Sequence, residues 1–99
     1  MSQRINLLLL LIVDTVAQVS TKGRWTPYFD VGSRNSRVSL YFRPTDFDYS
    51  KPDGTWPRVE NHCSRLAPDD EYSEEELVEN FEAMLAFARR HLEDRQEAA

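Results

Sequence analysis

Cysteine occurs once, at Cys63, and glycine only at Gly23, Gly32 and Gly54. A lone cysteine closes no disulfide within the chain, which fits a reducing compartment and an expected cytoplasmic location. Three scattered glycines form no phosphate-cradling loop. Histidine is as scarce: His62 and His91 lie far apart, and neither a CxxC nor an HxxxH spacing offers the set of about four ligands a zinc site needs. His62 and Cys63 are adjacent, but a cysteine–histidine nucleophile pair also requires hydrogen-bond reach and a third group to orient the base. Asp46, Asp48 and Asp53 lack the spacing of a calcium loop. With no motif for catalysis, the expectation is a protein that is not an enzyme and binds no cofactor or metal.

Long apolar runs are also few. Residues 5–13 are apolar except for Asn6. That is about half the ~18 residues of a membrane span, so a span is excluded on this count and no membrane partner is expected. Arg4 ahead of this run and Thr15-Val16-Ala17 behind it have the outline of a secretory signal, but Asp14 interrupts it, and the single cysteine suits the cytoplasm. The leucine-rich composition favours a helix over about 3–20, with Ser2 as its cap and Gly23 as its stop. Periodicity alone also admits a buried strand over Ile5 to Val13. On a helix, Ile5, Leu8, Leu9, Ile12, Val16 and Val19 form one stripe, while Leu7, Leu10, Leu11 and Val13 point elsewhere. A small domain covers one side of such a helix. The other side calls for a partner, and the expectation is a homodimer.

The middle of the chain alternates. Trp25, Pro27, Phe29 and Val31 share one face, as do Val38, Leu40 and Phe42, and the turn formers of residues 32–36 lie between them. This is the pattern of a β-hairpin over about 25–43. Pro27 cannot donate a ladder hydrogen bond, so its strand belongs at a sheet edge. Residues 44–72, with four prolines and Asp53-Gly54, form an irregular segment in which Trp56 to Glu60 offers a short strand. Phe47, Tyr49 and Trp56 in that segment are apt to fold back over the sheet. If the segment wraps the far side of the first helix, the chain stays monomeric. Ser73 and Glu76 form a capping box that opens a helix over about 74–95, with Leu77, Val78, Phe81, Met84, Leu85, Ala88 and Leu92 at helical spacing. The fold class is therefore α+β in one domain, α-β-β-α, with both helices packed on a small antiparallel sheet.

Charge is unevenly placed. The net charge is −5, yet residues 22–65 hold eight basic groups against five acidic ones, and residues 66–99 hold eleven acidic groups against three arginines. The leading functional class is a cytoplasmic docking or regulatory module that binds a protein partner. Its candidate contact residues are Leu7, Leu10, Leu11, Trp25, Tyr28 and Tyr41, since apolar and aromatic side chains anchor interfaces. A second class takes the acidic surface of Asp69, Asp70, Glu71, Glu74, Glu75, Glu79 and Glu82 as a mimic of a nucleic-acid backbone. A third sets Arg24, Arg34, Arg37 and Arg43 beside Trp25, Tyr28 and Tyr41 as a weak nucleic-acid surface, which the overall acidity disfavours.

Overall fold

A computed structural model describes residues 3–32, 36–45, 50 and 59–93. The chain runs through helix α1 (Gln3–Lys22), strands β1 (Trp25–Gly32), β2 (Arg37–Pro44) and β3 (Asn61–Arg65), and helix α2 (Glu74–Glu93). The sheet is antiparallel in the order β1-β2-β3. The α+β class, the two terminal helices and the hairpin between them match the sequence reading. Residues 5–13 are helical, so the strand alternative for them falls.

The local chemistry is legible at each boundary. α1 ends where Gly23 takes φ 81° and its N–H donates to the Ser20 carbonyl at 3.2 Å. That left-handed conformation suits a residue without a Cβ. Ser2, expected to cap its start, lies outside the described residues. β1 is an outer strand, as Pro27 requires. At the start of α2, the Glu76 N–H donates to Ser73 Oγ at 3.2 Å, and the Ser73 N–H donates to Glu76 Oε1 at 3.0 Å. The capping box therefore forms in both directions.

The third strand corrects the sequence reading in position. It spans Asn61–Arg65, whereas Val59 and Glu60, at the end of the expected Trp56-to-Glu60 strand, are irregular. Residues 56–58 lie outside the described residues, as do Phe47 and Tyr49. β3 escaped the hydrophobic pattern because its inward positions are His62 and Ser64, paired with Leu40 and Val38 of β2. His62 fills its place by stacking on Phe87 of α2, with ring centroids 4.2 Å apart. Ser64 satisfies its hydroxyl on the Arg65 carbonyl at 3.1 Å.

Both helices lie on one face of the sheet, side by side and parallel. Arg4 at the start of α1 pairs with Glu75 at the start of α2, and Lys22 at the end of α1 donates to the Leu92 carbonyl near the end of α2. The core between the layers is made of Ile5, Ile12 and Val19 from α1, Val38, Leu40 and Phe42 from β2, and Leu77, Phe81, Met84, Phe87 and Ala88 from α2. Burying each large side chain contributes about 1.5–3 kcal/mol, which holds α1 in place along its inward stripe. Thr15, the polar residue buried on α1, donates its hydroxyl to the Leu11 carbonyl at 2.8 Å. Val31 shares the inward face but is exposed, because it sits at the hairpin end of an outer strand.

Candidate interaction surfaces

The candidate contact residues divide among three places. Leu7, Leu10, Leu11 and Val13 stand on the outward side of α1, 54%, 58%, 45% and 45% exposed. Tyr28 and Tyr41 face each other on the outer side of the sheet, across the β1–β2 pair. Trp25 belongs to neither. It lies on the inward face at the sheet's end, where its ring meets His91 edge-on at 4.8 Å.

The outward side of α1 carries four of the six large apolar side chains exposed among the described residues. Ile5, Ile12 and Val19 commit the opposite side to the core, and the alternative in which residues 44–72 wrap over the exposed leucines falls mostly outside the described residues. The helix as a whole, Gln3–Lys22, is long and apolar enough by length and composition to cross a membrane, because it extends well beyond the apolar run of residues 5–13. Between the helices runs a groove of about 400 Å³ lined by Leu8, Leu85 and Ala86, with Glu82, Arg89, Arg90 and Glu93 at its rim. Along α1, Arg4, Leu7, Leu11, Asp14 and Gln18 follow one another at steps of three and four. That spacing keeps them on one line of the helix surface. The Asp14 carboxylate accepts from the neutral amide of Gln18 at 2.9 Å, and no cation pairs with it among the described residues.

On the outer sheet face, Tyr28 and Tyr41 stack with centroids 4.7 Å apart and planes 6° from parallel. The Arg43 guanidinium lies 5.6 Å from the Tyr41 ring centre. Each tyrosine thus spends one ring face on the other. Cys63 is exposed on this side, while its neighbour His62 points into the core, so the two do not form a nucleophile pair. Arg34 lies outside the described residues.

At the end of the sheet, His91 stacks on Phe42 at 4.1 Å and on Phe87 edge-to-face at 4.8 Å. Its Nδ1 is 2.9 Å from the Phe87 carbonyl, an acceptor only, so the ring carries a proton on Nδ1 and donates it there. Glu60 sits at the rim of the adjoining cleft of about 290 Å³. It accepts from His62 Nε2 at 2.6 Å and from Arg90 at 3.3 Å. The His62 hydrogen bond, with Arg90 adding to it, holds the Glu60 carboxyl below its usual range. The sequence placed His91 at a polar border and gave no sign of this aromatic cluster, because its members come from β1, β2, β3 and α2.

The acidic surface is partly consumed by the fold. Asp69 accepts the N–H groups of Glu71 and Tyr72 at 2.8 and 2.9 Å and pairs with Arg65 at 2.8 Å. The backbone donors, Tyr72 first, hold the Asp69 carboxyl below its usual range. Glu71 pairs with Arg65 at 3.3 Å and Glu75 with Arg4 at 3.2 Å. Glu74 is half-buried, while Asp70, Glu79 and Glu82 are exposed. Among the described residues, no group of three or more histidine, cysteine, aspartate or glutamate side chains could hold a metal ion.

Comparison with protein-family models, with curated proteins and with solved structures found no match to this chain.

Proposed function

We propose that this protein is a small cytoplasmic docking module that acts as a homodimer assembled through the outward side of α1, with no catalytic step of its own. The observation that carries the reading is the exposure of Leu7, Leu10, Leu11 and Val13 on a helix whose other side is already committed to the core. A contiguous apolar surface of this kind is costly to leave in water, and soluble monomers avoid patches above a few hundred Å². A two-fold axis lets one such patch cover itself.

Two further features favour docking over chemistry. The histidines are spent on ring packing and on a carboxylate at the sheet's end. Asp69, Glu71, Glu75 and Glu76 of the acidic segment serve turns, ion pairs and a helix cap. That leaves the acidic-mimic reading fewer carboxylates to present.

The test is substitution at the exposed face. Leu10→Glu and Leu11→Glu place a charge where the unassembled chain is already solvated, so each variant folds as a monomer. Each is expected to elute later than the wild type in size-exclusion chromatography at equal concentration, because an unpaired carboxylate in an apolar contact costs several kcal/mol. Elution identical to the wild type for both variants would remove α1 from the interface.

A further inference from the structure

We infer that the two copies pack α1 against α1 in antiparallel register about a two-fold axis near residue 9, with Arg4 of each copy facing Asp14 of the other; this inference rests on the self-association proposed above. The outward line of α1 reads Arg4, Leu7, Leu11, Asp14 and Gln18, at the alternating steps of three and four that make a helix–helix seam. The line has a basic residue at one end, two leucines in the middle and an acidic residue beyond them. Laid antiparallel on itself, it seats Leu7 against Leu11 of the other copy and brings Arg4 opposite Asp14 at both ends. Laid parallel, it opposes Arg4 to Arg4 and Asp14 to Asp14, which costs energy.

The charges are free to take these roles. Arg4 uses Nη1 on Glu75, with both partners well exposed, and its guanidinium has further donors. Asp14 Oδ2 accepts from Gln18, which leaves Oδ1 to accept from the other copy. Among the described residues both helices lie on the same face of the sheet, so joining two copies through α1 turns the opposite sheet faces, with Tyr28 and Tyr41, in opposite directions. The dimer is a sheet–helix–helix–sheet sandwich with the Tyr28–Tyr41 pairs related by the two-fold axis.

Cysteine cross-linking in the full chain, with Cys63→Ser as background, reads the orientation. A disulfide needs Cα atoms about 4.4–6.8 Å apart. At 1.5 Å per residue, antiparallel packing centred near residue 9 sets Gln18 about 27 Å from its mate along the helix. Mixing Leu7→Cys with Leu11→Cys is therefore expected to give a mixed disulfide under mild oxidation, while Gln18→Cys alone gives none. Charge reversal gives a second readout. Arg4→Glu or Asp14→Arg weakens the dimer at least several-fold, and the double exchange restores it. A dimer that cross-links through Gln18→Cys and is indifferent to charge reversal overturns the antiparallel register while leaving self-association intact. A dimer that gives none of these cross-links places the interface elsewhere. A chain that stays monomeric throughout, including one that instead co-sediments with neutral phosphatidylcholine vesicles, overturns both proposals.

Discussion

Phe81 is fully buried between the helices and the sheet, where its ring has no other place to go. Phe81→Ala leaves a cavity that the surrounding layers fill only in part, and urea denaturation is expected to show a loss of about 3–5 kcal/mol. A loss below about 1 kcal/mol would mean that α2 turns another face inward. Asp69 acts at the same scale through protonation. Its carboxyl is depressed in the folded chain, so its contribution is fully present above the unfolded value and is lost as pH falls through the folded one. The stability difference between wild type and Asp69→Asn should be constant above about pH 5 and shrink as pH drops below about 4. A difference that persists unchanged to pH 2 would contradict that assignment.

At the scale of elements, the boundaries respond to backbone chemistry. Gly23 has φ 81°, and a Cβ added there would meet nothing within 4 Å. Gly23→Ala should therefore cost about 1 kcal/mol through backbone strain alone, with Gly23→Asn costing less. Equal thermal stability of all three chains would show that the end of α1 does not need the left-handed conformation. Elements were legible in the sequence where apolar spacing or capping residues mark them. The inward stripe of α1, the alternation of β1 and β2 and the Ser73–Glu76 box are of this kind. β3 was not legible, because a strand whose inward residues are His62 and Ser64 carries no apolar alternation. The same limit hid the aromatic cluster at the sheet's end, where Trp25 of β1 meets His91 of α2 across a long stretch of sequence. Of the candidate contact residues, the α1 leucines could be separated from the core by helical spacing. Trp25 could not be separated from the tyrosines until its packing against His91 placed it at the rim of the core.

For the whole molecule, the thinness of the two-layer fold and the exposed side of α1 have one cause. Among the described residues of this short chain, one sheet and two helices pack against each other, with both helices on the same side of the sheet. Small domains bury a modest share of their surface, and assembly adds what the core alone does not. Sedimentation equilibrium of the unaltered protein at micromolar concentration tests this claim most directly. A species of about twice the 11.6 kDa chain mass, dissociating on dilution, is expected. A mass of 11.6 kDa at every concentration would contradict it.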